Sequence, residues 1–285
     1  MDAPHLSFNI IILATGCAVE SWSDMAKKKP EEKIQTKSSR LQKKQALIIG
    51  ASSDMAIAMS ELLASRGWNL VLAGRNIKDL RDQCSDLGIR HQIVAEPITL
   101  DLMDGKGIRK KIQSLDGVPE LTVCFAGIML NEDEARKDYE TAEKILSTNF
   151  NGVVQAINPI AEQLKEEGQG TIAVVSSVAG DRGRQSNYHY GAAKAGLTAY
   201  LSGLRNYLFP YGVHVVTIKP GFVRTSMTEG MPLPGPITGS PEKVARDIFK
   251  AIRKKKNVIY TLWMWKYIMT IIRSIPEFVF KRLKL

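Results

Sequence analysis

Ala46-Leu-Ile-Ile-Gly-Ala-Ser-Ser-Asp-Met-Ala56, continued through Arg66 to Asn69-Leu-Val-Leu-Ala73, is the stretch that decides how this chain folds. Ala46–Gly50 is an uninterrupted apolar run of strand length. Asp54–Arg66 repeats apolar residues at helical spacing, and Asn69–Ala73 is a second apolar run. A strand, a turn of small residues, a helix and another strand make the unit from which parallel sheets are built. Strands apolar on both faces must be covered on both sides.

Outward from that unit the alternation continues. A helix is expected over Lys78–Leu87, a strand over Gln92–Leu100 interrupted by Pro97, and a helix near Gly107–Leu115. The strand Leu121–Ala126 leads into one long helical region, about Ala135–Lys165. The strand Thr171–Ser176, the helix Asn187–Leu208 and the strand Val213–Ile218 come next, with the helix Pro241–Lys254 and a short strand Val258–Tyr260 last. The expectation is an α/β fold: a doubly wound, Rossmann-like parallel sheet in three α/β/α layers, spanning residues 46–260. Ligands of such sheets bind beyond the C-terminal strand ends. Here those ends carry Gly50, Gly74, Asp101, Ala126-Gly127, Ser177 and Pro220-Gly221.

The 285 residues carry a formal charge of +10, unevenly placed. Residues 250–285 hold ten basic side chains and one acidic, residues 1–45 hold eight and five, and the stretch between is near neutral. A nearly neutral body argues against nucleic acid as a partner. Cys17, Cys84 and Cys124 have no metal-type spacing, so no metal site is expected, and the odd number fits a reducing compartment and core thiols. The apolar run 8–19 is too short to span a bilayer and lacks a basic start, so it makes a poor signal peptide. Ala14-Thr15-Gly16-Cys17 resembles a lipoprotein cleavage site only faintly. Residues 1–45 read as a disordered leader, and Met25 is an alternative start.

Two places carry chemistry. The first is the turn Gly50-Ala51-Ser52-Ser53-Asp54-Met55, where backbone amides and a helix N-terminus suit a pyrophosphate, although a plain turn and cap fits equally well. The second is Ser176-Ser177, followed by Tyr190 and Lys194. Tyr190 and Lys194 are four apart on a helix and so share a face. A hydroxyl at the preceding strand end, a phenol and an ammonium meeting at one point can pass a proton to a carbonyl oxygen.

With both places in view, the chain resembles the short-chain dehydrogenase/reductase family over about residues 46–260. The family's Thr-Gly-x-x-x-Gly-x-Gly turn survives only as Gly50: Ile49 stands for the threonine, Asp54 for the second glycine and Ala56 for the third. Asp54 is the notable departure, since a carboxylate beside phosphates is unfavourable unless it points away; capping the helix would achieve that. The resemblance implies NADP(H) as cofactor, with NAD(H) less favoured. Leu72-Ala73-Gly74-Arg75 lacks the acidic residue that selects NAD and has Arg75, with Ser52 assisting, for a 2′-phosphate. It further implies cofactor contacts from Gly50, Ser52, Ser53, Asp54 and Met55, from Asp101-Leu102 at the adenine, and from Ala126 and Gly127. There Cys124-Phe125 replaces the family's paired asparagines. Pro220, Gly221, Val223 and Thr225 match Pro-Gly-x-Val-x-Thr near the nicotinamide.

For catalysis the resemblance implies Asn149, Ser177, Tyr190 and Lys194. Ser177, thirteen residues before Tyr190, is preferred to Ser176; Tyr190, followed by Gly-Ala-Ala-Lys, to Tyr188; and Asn149 to Asn151. Lys194 and the cofactor's charge are expected to lower the Tyr190 pKa, and Tyr190 and Lys194 also to contact the cofactor, Lys194 at the nicotinamide ribose. Residues 226–240, with Met227, Met231, Leu233 and Ile237, read as an apolar substrate lid for a bulky or lipidic carbonyl compound; ordinary loop packing is the competing reading.

Residues 261–285 form a basic, aromatic tail. As one helix it places Lys266, Thr270, Arg273 and Glu277 on a polar stripe, with Trp263, Trp265 and Tyr267 suited to a headgroup layer. Peripheral membrane contact is expected, against the alternative of packing on the sheet or a second subunit. The tail and the variant turn together resemble the branch of the family containing the reductase of a decaprenyl-phosphoryl 2-keto-pentose, which would imply a lipid-linked substrate. The implied location is the cytoplasm, where NADPH is supplied, at the inner membrane face. Family members form dimers or tetramers, which implies a homo-oligomer. Two other classes stand beside the enzyme: a non-catalytic NADP(H)-binding sensor or scaffold, and a structural membrane-recruitment module.

Overall fold

The computed structural model describes residues 44–283. The apolar run 8–19, Cys17, Met25 and nearly all of the leader 1–45 lie outside the described residues. The strands are β1 (Gln45–Ile49), β2 (Asn69–Gly74), β3 (Ala95–Thr99), β4 (Leu121–Cys124), β5 (Gly170–Val175), β6 (Val213–Pro220), a short pair β7 (Phe222–Val223) and β8 (Thr238–Gly239), and β9 (Val258–Thr261). All seven strands of the main sheet are parallel, in the order β3-β2-β1-β4-β5-β6-β9. Chain order reverses between β1 and β4, which opens a crevice beyond their paired ends, Ile49 and Cys124.

The first three linking helices begin on side-chain caps. Ser53 accepts from Ala56 N at the head of α1 (Asp54–Ala64), Asn76 caps α2 (Ile77–His91) and Asp104 caps α3 (Gly105–Gln113). The sheet's two faces are buried under separate apolar clusters. One contains Ile48, Leu63, Leu72 and Ile248, the other Leu47, Ile49, Ile160 and Leu201. Pro97 does not break β3, because β3 is an edge strand paired only with β2 and its outer side needs no N–H donor. Cys84 and Cys124 are buried free thiols whose pKa burial pushes up to about 11, which keeps them protonated.

Three expectations about elements are corrected. The β4 strand stops at Cys124 rather than Ala126. The region read as one helix over about 135–165 is four pieces: α4 (Glu132–Ala135), α5 (Tyr139–Leu146), a π-helical turn Ser147–Asn151 and α6 (Gly152–Glu167). The π turn is set by the Asn149 side chain. Asn149 Nδ2 donates to Ile145 O at 2.8 Å, the carbonyl that an α-helix would give to the residue 149 N–H, so the backbone widens.

The tail is likewise two helices, α9 (Met264–Ser274) and α10 (Glu277–Phe280), and Glu277 lies outside the stripe of Lys266 and Arg273. Pro276 forces Ile275 into an extended conformation (φ −66°, ψ 123°) and ends α9. Trp265 and Met269 of α9 are buried in a third cluster with Val178, so this face packs on the body. Between β5 and β6 run a 3₁₀ turn (Val178–Asp181) and the 21-residue α7 (Tyr188–Leu208); α8 (Pro241–Arg253) precedes β9.

Candidate active site

β5 and α7 build the chemical centre. Ser176 and Ser177 leave the end of β5 with opposite roles. Ser176 is buried, donating from Oγ to Lys194 O at 2.9 Å and meeting Thr198 Oγ1 at 2.8 Å, which pins α7 to the sheet. Ser177 opens into a cavity of about 960 Å³; its side chain accepts from Ala179 N at 3.1 Å and is hydrogen-bonded to Tyr190. Tyr190 and Lys194 line the same cavity from α7, whereas Tyr188 is exposed and does not line it.

Lys194 is buried, with Nζ 3.1 Å from Val175 O and 5.7 Å from the centre of the Tyr190 ring. An added methyl at Gly127 would lie 2.7 Å from Asn149 Oδ1 and 3.1 Å from Lys194 Nζ, so those two side chains meet at this glycine. Asn149 is fully enclosed. Nδ2 also donates to Ile128 O at 2.7 Å, and Oδ1 accepts from Ile128 N at 3.2 Å.

The electrostatics differ from the expectation at one point. Tyr190 is raised above the ordinary tyrosine range, because burial outweighs its hydrogen bond with Ser177. Lys194 does not lower it, being itself discharged more easily: burial pulls Lys194 down to about 8.

A second cleft, about 450 Å³, adjoins the cavity at the crevice between β1 and β4 and shares with it Met55, Phe125, Gly127, Thr225 and Met227. The turn residues Gly50, Ser52, Ser53, Asp54 and Met55 line it, as do Arg75 at the end of β2 and Asp101-Leu102 after β3. Ala126 and Gly127 form its far wall. Gly50 has φ +76°, and a Cβ there would sit 2.8 Å from Ala126 N, so glycine is required both for the turn and for the close approach of the two loops. Pro220, Gly221 and Val223 line the larger cavity instead, and Thr225 lines both.

Asp54 does not cap the helix; Ser53 does. The Asp54 carboxylate accepts from Ser226 N at 2.8 Å and Ser226 Oγ at 2.9 Å, which ties the turn to the root of the lid, and both residues line the smaller cleft. Of the apolar lid residues, Met227 and Met231 line the cavity, whereas Ile237 packs on the tail, where Trp265 Nε1 donates to Ile237 O at 3.0 Å.

Several lining residues went unread in the sequence. Lys144 and Thr148, four apart on one helical face, line the smaller cleft; that spacing was the available signal. Glu132, buried and paired with His189 Nδ1 at 2.6 Å, lines the larger cavity from α4 and carries no periodic signal. Arg184 lines it from the loop before α7.

Known proteins are similar to this chain in sequence or in fold. An uncharacterized oxidoreductase of Mycobacterium tuberculosis is 33% identical over 240 residues, 83% of this chain and 96% of its own length. One of Myxococcus xanthus is 32% identical over 197 residues, 67% and 76% respectively. Among solved structures, a short-chain dehydrogenase from Sphingobium yanoikuyae in complex with NADPH superposes with a TM-score of 0.71 at 21% identity, covering 82% of this chain and 97% of its own. The bulky-bulky ketone specific alcohol dehydrogenase of Comamonas testosteroni reaches 0.69 at 21%, covering 82% and 95%. The profile of the short chain dehydrogenases matches residues 44–233, and with the relatives' identity and coverage it places this chain in that family: it is an oxidoreductase of the short-chain dehydrogenase/reductase type.

Proposed function

We propose that the chain interconverts a carbonyl and a secondary alcohol with NADP(H), on an apolar or lipid-linked substrate, at the cytoplasmic face of a membrane. The observation that carries the reading is the placement of Tyr190 and Ser177 together in the wall of a large cavity that adjoins the smaller cleft.

That cleft suits a phosphorylated dinucleotide. The Gly50 turn brings backbone N–H groups to a helix start, Ser226 donates twice to the Asp54 carboxylate, and Arg75 supplies a cation where a 2′-phosphate would lie. Bound there, the cofactor supplies or accepts the hydride. On the protein side, Tyr190 and Ser177 hydrogen-bond the substrate oxygen, and in reduction the Tyr190 phenol gives that oxygen its proton. Lys194 Nζ, beside Asn149 at Gly127, is the group from which the phenol regains a proton. The apolar side of the cavity, with Met129, Leu130, Met227 and Met231, supports a bulky substrate. Support for the membrane surface comes from an apolar ridge on α9, where Trp263, Tyr267 and Ile271 are 72%, 61% and 67% exposed in the basic tail. Among the described residues no helix is long and apolar enough to cross a membrane, so the contact proposed is interfacial.

The test is NADPH oxidation over a panel of long-chain ketones, ketosteroids and lipid-linked keto-sugars. Tyr190→Phe is expected to lower kcat by about 100-fold or more and to leave NADPH binding intact. Unchanged turnover in that variant would remove Tyr190 from the chemistry. NADPH binding with no carbonyl-dependent oxidation would favour the sensor.

A further inference from the structure

The cavity that holds Ser177 and Tyr190 has a polar wall that the carbonyl chemistry does not use, formed by residues 184–187 ahead of α7. Arg184 stands in it. Its Nη2 donates to Met269 Sδ at 3.5 Å, a weak acceptor, while its Nε is buried with no hydrogen-bond partner. The side-chain oxygen of Asn187 in the same wall is also buried, without a donor.

Among the described residues no acid pairs with this cation. Burial pulls the Arg184 pKa down, opposed only by Asp181, and Asp181 is already held by Lys219 Nζ and by the Tyr260 hydroxyl at 2.8 Å. The acids on the α4 wall are engaged as well, Glu132 with His189 and Asp133 with Arg136. Arg182, two residues earlier, shows the contrast: its guanidinium is saturated by Glu277 and by the carbonyls of Ile272 and Ile275. A guanidinium removed from water without an anion is unfavourable, and a ligand oxyanion would offset that cost.

We infer that Arg184 binds an oxyanion carried by the substrate, a phosphate or carboxylate group on an apolar body, with Asn187 accepting from a neighbouring hydroxyl. The cavity is then divided by chemistry. Met129, Leu130, Met227 and Met231 receive the apolar part, Arg184 the charge, and Ser177 with Tyr190 the carbonyl. The assignment rests on this cavity being the substrate site, and it narrows the substrate to an anionic amphiphile.

The test reads binding, so it does not depend on turnover. Octyl phosphate, octanoate, octanol and inorganic phosphate are titrated calorimetrically into the full chain with saturating NADPH. The wild type is expected to bind octyl phosphate or octanoate at least about tenfold more tightly than octanol. Arg184→Gln should erase that preference and leave octanol affinity in place, and Arg184→Lys should keep part of it by retaining charge without the planar fork. Should Arg184→Gln fail to fold, the partial loss in Arg184→Lys decides the matter. The inference is overturned if neither anion is preferred to octanol, if the preference survives in Arg184→Gln, or if octanol affinity falls equally. It is also overturned if inorganic phosphate binds as tightly as octyl phosphate. An Arg184-dependent preference in a protein that reduces no carbonyl would refute the reductase reading and leave this site standing.

Discussion

Lys194 sits in the core with a backbone carbonyl for a partner and no carboxylate, and its charge therefore weakens the cofactor-free fold. Below about pH 8 it is protonated both folded and unfolded, and the desolvation cost is present in full. Between about 8 and its ordinary 10.5 only the unfolded chain keeps the proton, so stability rises with pH across that window, by roughly 3 kcal/mol in total. Tyr190 acts oppositely. Its pKa is raised above 10, so beyond that pH the unfolded chain ionises first and stability falls. Cys84 and Cys124, raised from 9.0 to about 11, oppose this rise above pH 9, so thermal unfolding from pH 7 to 11 should show a rise that peaks near pH 9, and Lys194→Met should flatten the rising limb. A wild-type midpoint that declines steadily from pH 8 would contradict this account. At the same scale, the four-residue spacing of Tyr190 and Lys194 was legible in the sequence because a helix enforces it. The destination of the Asp54 carboxylate was not, since Ser226 lies 172 residues away.

Elements were legible wherever their cause was local. Apolar strands and the long α7 follow from short-range pattern, whereas the cap at Ser53 was read instead as Asp54. The π turn at Asn149 and the break at Pro276 show two limits. The first depends on a side chain reaching Ile128 across the fold, and the second on a proline inside an otherwise helical apolar run. The broken tail is held by one residue outside it. Arg182 donates to Ile272 O and Ile275 O, both at 2.6 Å, pairs with Glu277 and stacks on Phe280 with 3.6 Å to the ring centre. It thereby supplies donors for carbonyls that the end of α9 leaves open. Arg182→Ala should cost about 2 kcal/mol and speed tryptic cleavage after Arg273 by about tenfold or more through local opening. Equal cleavage rates in variant and wild type would show that the tail is held by Trp265 and Met269 alone.

Across the whole molecule the tail presents two different faces, one buried and one exposed. Trp265 packs on Gly221 so closely that a Cβ there would lie 2.0 Å from the indole, while Trp263, Tyr267 and Ile271 face outward. If the outward ridge meets lipid, the protein should bind vesicles containing anionic phosphatidylglycerol, more weakly as salt rises, and only poorly bind neutral vesicles. Replacing Trp263, Tyr267 and Ile271 by serine should weaken sedimentation with anionic vesicles by about tenfold, and unchanged sedimentation would mean the ridge is not the contact. The sequence alone determined the parallel α/β sheet, the crevice at its C-terminal edge and the residues gathered there, because strand length, helical period and turn chemistry act over a few residues. Tertiary structure alone decided which charges are answered. Asp54 finds Ser226 and Arg182 finds the tail, while among the described residues Lys194 and Arg184 have no acid partner. Such pairings depend on distance and burial between segments far apart in the chain, which no local pattern records.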